Sequence, residues 1–279
     1  MKVIKKIDEL REVLKEYRLE GKSIGLVPTM GFLHAGHASL IKKAVDDNDI
    51  VVVSDFVNPI QFGEGEDLND YPRDLEADSK LSESLGADII FNPEASEMYI
   101  NKKTFVDIEG LSDNLCGAKR PGHFRGVCTV CTKLFNIVSP DRAYFGQKDA
   151  QQLAIIKKMV LDLNIPIEII SCPIVREEDG LAMSSRNTYL NEEERKTALC
   201  LSKAIFEGEK MAKNGKSLKE VLEKMTEIIK AEKLAKIDYI SAVDLETIED
   251  VKTFDQDTLV AIAVFIGKTR LIDNFIYRV

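Results

Sequence analysis

The chain has 279 residues, 44% of them hydrophobic and 30% charged, with a formal net charge of −9. This composition suits a folded chain of one large domain or two smaller ones and excludes disordered and fibrous classes. The acidic balance supplies no positive field for nucleic acid or an anionic membrane surface, and no apolar run approaches the ~20 residues of a membrane-spanning helix.

From the N terminus, Ile7, Leu10, Leu14 and Tyr17 form one helical stripe among acidic residues, without the apolar centre of a signal peptide. A cytoplasmic chain is expected. SIGLVP, HASLIKKAVDD and DIVVVSDF then read as strand, helix and strand, with Leu40, Ile41, Ala44 and Val45 facing inward. Further along come a helix from Asp74 to Leu85, a strand at ADIIFNP and a helix from Val127 to Val138 that stops before Pro140. A strand at RAYFG, a helix from Ala150 to Leu163 and a strand at IEIISCPIV follow. Such alternation predicts an α/β fold, a Rossmann-like parallel sheet with helices on both faces and a ligand crevice beyond the carboxyl ends of its strands.

After about residue 176 the composition changes. Asn191 opens an acidic helix start, and Ser217 with Glu220 makes a capping box ahead of a Lys/Glu-rich amphipathic helix. Both helices read as largely solvent-facing. Three strand-like runs, KIDYISAV, TLVAIAVFI and TRLIDNFIYRV, close the chain, the last two joined at Gly267 and Lys268. The expected organisation is a domain over residues 1–176 and a smaller C-terminal α+β domain with a short antiparallel sheet over residues 177–279. Cys116, Cys128, Cys131, Cys172 and Cys200 are odd in number and scattered, which argues for reduced thiols. Cys128 and Cys131 make a CxxC pair, but a zinc site wants four ligands, and both fall on an apolar helical face.

Four segments carry the chemistry. PTMGFLHAGH puts His34 and His37 around Gly36 where a strand feeds a helix, so backbone N–H groups, the helix dipole and two imidazoles meet at a site suited to phosphate. The alternative is one histidine capping the helix and the other packed in the core. The third histidine, His123, lies in another Gly-rich loop, KRPGHFRG. EEDGLAMSSRN offers Ser184, Ser185 and Arg186 to phosphate oxygens, or else a solvated loop whose Arg186 neutralises Glu177, Glu178 or Asp179. FGQKDAQQ places Lys148 at a strand-to-helix turn, with Asp149 as nucleotide ligand or helix cap and Gln151 and Gln152 beyond. In FVNPIQFGEGEDLNDYPRD, Asn58, Gln61 and Tyr71 are neutral hydrogen-bonding groups suited to a small hydroxy acid, although Gln61 reads equally as exposed loop.

In this order and spacing the four segments resemble the pantoate-β-alanine ligase family, a branch of the HxGH nucleotidyltransferase superfamily, from about Ile24 to Leu190. The resemblance rests on PTMGFLHAGH, FVNPIQF, GVCTVCTKLFNIVSPDRAYFGQKDAQQL and MSSRN. It implies ATP-dependent condensation of (R)-pantoate with β-alanine to pantothenate, AMP and pyrophosphate through a pantoyl-adenylate, with Mg2+ accompanying ATP. It assigns ATP to Met30, Gly31, Phe32, Leu33, His34, Ala35, Gly36 and His37, to Gly146, Gln147, Lys148 and Asp149, to Val175, and to Met183, Ser184, Ser185 and Arg186. Gln61 and Gln152 would hold pantoate, Gln61 also lying near β-alanine, with Asn58 beside them. His37 matches the family's proton donor, while His34, Lys148 and Arg186 would stabilise charge on the phosphates. Residues 1–176 become the nucleotide- and pantoate-binding domain, and the chain a homodimer without nucleic-acid or membrane partners. Arg73, Asp78 and Arg120 receive no role. The competing readings are a nucleotidyltransferase acting on a phosphorylated acceptor, which calls for extra basic residues, and a thiol or metal module built on Cys128 and Cys131.

Overall fold

The computed structural model describes residues 1–279 and divides into two compact units. Met1–Glu109, Arg120–Gln147 and Ile155–Pro173 form the first; Gly110–Lys119, Lys148–Ala154 and Ile174–Val279 form the second. A single boundary after residue 176 therefore misses two excursions into the second unit. Neither excursion has a distinctive composition, because it is packing that assigns them.

The first unit begins with β1 (Lys2–Ile4), α1 (Ile7–Leu19), β2 (Ile24–Thr29), α2 (Ala35–Asp47) and β3 (Ile50–Asp55), followed by α3 (Leu75–Ser84), β4 (Ile89–Phe91) and α4 (Ala95–Met98). After α5 (Leu115–Lys119), which belongs to the second unit, come α6 (His123–Val138), β5 (Arg142–Gly146), α7 (Ala150–Asp162) and β6 (Glu168–Cys172). The six strands pair in parallel in the order β1-β4-β3-β2-β5-β6. Every residue of β3 is buried, as a continuous apolar run in a covered parallel sheet requires. Leu40, Ile41 and Ala44 of α2 pack with Val27, Val51 and Tyr144 of the sheet.

From β2 the chain steps to β3 on one side, whereas β5 pairs with the other side of β2. The β2/β5 boundary is thus the switch point at which the carboxyl ends of a parallel sheet open a crevice. Two details differ from expectation. The edge strand β1 is added by pairing Val3 with Ile90, a three-residue contribution that no hydrophobic period announces. His123 is not in a loop: α6 starts there, four residues before Val127, because Gly122 adopts φ 80° and turns the chain into the helix.

In the second unit α8 (Glu192–Lys213) and α9 (Leu218–Lys230) precede an antiparallel sheet of β7 (Ala235–Asp244), β8 (Thr258–Ile266) and β9 (Thr269–Tyr277), ordered β7-β8-β9. The helices are less solvent-facing than expected. Ala198, Leu201, Ala204 and Ile205 of α8 and Val221, Met225 and Ile229 of α9 are buried with Val260, Ile262 and Val264 of β8. A smaller core joins Val243, Ile248, Leu259 and Ala261 to Leu115 and Ala150, which is why both excursions belong here.

Candidate active site

The turn after β2 is shaped by two consecutive left-handed residues, Gly31 (φ 77°) and Phe32 (φ 51°). A Cβ on Gly31 would stand 2.3 Å from Oδ1 of Asp55, so glycine is required by space as well as by φ. Asp78 of α3 then accepts the N–H groups of Phe32 and Leu33, each at 2.6 Å. His34 is the N-cap of α2. Its Nδ1 accepts Gly36 N–H at 3.1 Å, and Nδ1 of His37 accepts His34 N–H at 3.3 Å, with the two rings 4.1 Å apart. Both histidines therefore cap the helix reciprocally, a capping box in imidazole, and the alternative that packs one of them in the core does not hold. An Nδ1 that accepts places the ring proton on Nε2, so both rings are held as Nε2–H donors. No acidic residue occupies the first turn of α2, and the helix dipole there favours an anion.

Beside this turn, Gln61 is buried, which rules out the exposed-loop alternative. Its Nε2 donates to the Met30 sulfur at 3.0 Å, bringing the two sequence segments together. Asn58 is more deeply buried still. Its Nδ2 donates to Gln61 Oε1 (2.9 Å) and to the Gly126 carbonyl (3.2 Å), while Oδ1 accepts from Tyr99 O–H (2.7 Å) and Ile60 N–H (3.4 Å). That amide is saturated by the protein. His123, which had no role in the sequence, bonds the Gln61 carbonyl through Nδ1 at 2.8 Å and meets Arg120 at 3.0 Å through Nε2. A carbonyl only accepts and a guanidinium only donates, so His123 carries its proton on Nδ1. Arg120 in turn forks onto Glu66 at 2.7 and 2.6 Å. Arg120 and Glu66 were illegible because nothing local links positions 54 residues apart.

The remaining sequence-selected residues divide between the units. Gly146 ends β5 and Gln147 follows it in the first, while Lys148, Asp149, Gln152, Val175 and Met183–Arg186 belong to the second. Lys148 lies 3.6 Å from Asp149, and its carbonyl accepts from Asn274 at 3.0 Å. The neighbouring Gln151 is committed to the backbone of the 110–119 excursion: it donates to the carbonyls of Leu111 and Asn114 and accepts from the N–H groups of Cys116 and Gly117. Gln152, one position round the helix, is half-buried. Val175 and Met183 face each other across a small hairpin, Met183 N–H donating to the Val175 carbonyl at 3.0 Å, and Ser184 caps the turn that carries Ser185 and Arg186. Arg176 anchors this hairpin to the buried Asp273 at 2.6 and 3.0 Å. Arg195 takes Glu177 and Asp179, two of the acids that the alternative reading gave to Arg186.

Cys128 and Cys131 lie buried on α6 as free thiols, and desolvation pushes Cys128 up to about 12 and Cys131 higher. Buried thiols held in the neutral form are poor nucleophiles, and no third His, Cys, Asp or Glu stands beside the pair.

Residues 2–276 match the family model described as Pantoate-beta-alanine ligase. The chain belongs to the pantoate-β-alanine ligase family. It is 58% identical, over the full length of both chains, to the pantothenate synthetase of Clostridium botulinum (strain Loch Maree / Type A3). The pantothenate synthetase of Clostridioides difficile (strain 630) is 58% identical over 99% of each chain. Among solved structures, pantothenate synthetase from Thermus thermophilus superposes with a TM-score of 0.94 at 44% identity, covering 99% of each chain. The pantoate-β-alanine ligase of Francisella tularensis, complexed with β-γ ATP and β-alanine, gives a TM-score of 0.83 at 35% identity, covering 99% of this chain and 97% of its own. The activity that goes with this family is the ATP-dependent ligation of pantoate to β-alanine.

Proposed function

We propose that this chain carries out the family's reaction in two steps organised around the turn after β2. The pantoate carboxylate attacks the α-phosphorus of ATP, giving pantoyl-adenylate and pyrophosphate. The neutral amine of β-alanine then attacks the acyl carbon, loses a proton and expels AMP. In this reading Met30 to His37, Gly146 to Asp149, Val175 and Met183 to Arg186 hold ATP. His34 and His37 offer Nε2–H donors, and Lys148 and Arg186 offer cations, to the charge that builds on the phosphates. Gln61 and Gln152 bind pantoate. Asn58, whose amide is used up inside the protein, orients Gln61. The ligands of the Francisella relative support ATP and β-alanine as substrates.

The observation that carries the reading is the reciprocal His34–His37 cap at a helix start on the switch point of the sheet. A phosphorylated acceptor is disfavoured because the polar groups beside Met30 are neutral amides, and the nearby Arg120 is already bound by Glu66. Magnesium accompanies ATP in this scheme and neutralises charge on its phosphates. No group of three or more His, Cys, Asp or Glu side chains stands together to hold a metal. Phosphate oxygens and water would therefore supply most of its ligands. No helix is long and apolar enough to cross a membrane. The family likeness is the support for a cytoplasmic homodimer.

The test is pyrophosphate release from ATP with D-pantoate and magnesium, with and without β-alanine. One equivalent per site with pantoate alone, becoming continuous with AMP formation once β-alanine is added, is the expected result. Release that does not depend on pantoate would overturn the acceptor assignment.

A further inference from the structure

We propose that Asp78 is a positioning residue for the turn that carries His34 and His37, and that Asp55 supports it by sharing one proton. This rests on the reading of that turn as the ATP site. Asp78 uses both carboxylate oxygens on successive backbone N–H groups, Oδ2 on Phe32 and Oδ1 on Leu33, each at 2.6 Å. One belongs to the second left-handed residue of the turn and the other to the residue after it. A left-handed conformation is strained for a side chain as large as Phe32 and persists only where its surroundings hold it. The carboxylate fork is that hold, and it is charge-assisted. It fixes the backbone two residues before the His34 N-cap, and so the direction in which the two imidazoles point.

Asp55 ends β3, is 6% exposed and lies beside Asp78: a Cβ on Gly31 would stand 2.3 Å from Asp55 Oδ1 and 3.2 Å from Asp78 Oδ2. Two neighbouring buried carboxyls retain one proton between them. Burial, then the Asp78 charge, pushes Asp55 up to about 6. Burial also pushes Asp78 up, against the N–H groups of Leu33 and Phe32, which favour its charge. Asp78 is thus the member whose charged form backbone donors favour, and Asp55 the member without such donors, on which the proton of the pair is placed. The other groups that act on the pair are Asp74 from the start of α3 and the backbone N–H groups of Phe32 and Leu33. Asn92, beyond β4, spends its amide on the Asp55 carbonyl.

The sign follows. A carboxyl raised in the folded state binds its proton more tightly there than in the unfolded chain, so stability falls as pH rises from 3.8 to about 6. Above that range both carboxyls are charged and the hold on the turn loosens. Asp55→Asn keeps a donor toward Asp78 without the charge. Asp78→Asn puts an NH2 where an N–H must be accepted.

Urea unfolding between pH 4 and 8 and initial rates against ATP between pH 5.5 and 8 would be measured for wild type, D55N and D78N. D78N should lose roughly ten-fold or more in kcat/KM for ATP, while the KM for β-alanine stays near the wild-type value. D55N should lack the wild-type fall in stability and flatten the rise in KM for ATP; the two histidines remain in D55N, so only its difference from wild type is read. A folded D78N with wild-type kcat/KM for ATP would overturn the proposal. If D78N does not fold, D55N decides, and profiles superimposable on wild type overturn it. The stability slope is read without substrate, so its outcome is separate from that of the functional reading, which fails only if wild type shows no pantoate-dependent pyrophosphate release.

Discussion

At His34 and His37 each ring holds the helix start through one nitrogen and, in the proposed reaction, would meet phosphate through the other. Each Nδ1 accepts a backbone N–H at the start of α2, and each Nε2 keeps the proton that a phosphate oxygen would receive. Loss of either ring removes a cap, worth about 0.5–2 kcal/mol, together with a donor. His37→Ala is expected to remain folded, with stability lower by about 1 kcal/mol in urea unfolding, yet to lose most pantoyl-adenylate formation. Wild-type turnover with unchanged ATP affinity in that variant would remove His37 from the mechanism. The motif was readable because its chemistry is local. Asp55, Asp78, Arg120 and Glu66 were not, since each acts on a group that only folding brings near.

Among the elements, α6 shows how a helix places a residue it does not contain. Gly126 lies against the 59–61 turn, and a Cβ there would stand 2.4 Å from the Ile60 carbonyl and 2.6 Å from Gln61 Cα. The same helix presents its Gly126 carbonyl to Asn58 and its His123 ring to the Gln61 carbonyl. Gly126→Ala must push the turn away, at a cost of about 1–3 kcal/mol as an overpacked contact. The KM for pantoate should rise several-fold while the KM for ATP moves little; equal pantoate KM values in the two proteins would show that α6 does not position Gln61. The apolar period of α6 was legible from Val127 onward. Its first turn was not, because a glycine-flanked KRPGHFRG reads as loop until Gly122 is seen to turn into the helix.

For the whole molecule, the chain threads between its two units more than once. The small core around Val243, Ile248, Leu259 and Ala261 is completed by Leu115 and Ala150, which arrive from the 110–119 and 148–154 excursions. Gln151 then ties the first excursion down with four hydrogen bonds to its backbone. A fragment of residues 177–279 lacks both segments and exposes that apolar surface. It is expected to give poorly dispersed amide resonances and no cooperative melting transition, whereas a sharp transition would show residues 177–279 to be an autonomous domain.

The sequence alone determined what depends on local order along the chain. The βαβ alternation, the caps at Asn191 and Ser217, the buried β3 and the HxGH turn are all set by periods of two or 3.6 residues and by short-range hydrogen bonds. Tertiary structure alone decided the rest. The β1–β4 pairing, the assignment of Lys148 and Gln152 to the second unit, the Glu66–Arg120–His123 chain and the Asp55–Asp78 grip all join residues far apart in sequence. Such contacts are chosen by burial and by the need to satisfy every buried polar group, and neither constraint is written in the spacing of the residues it brings together.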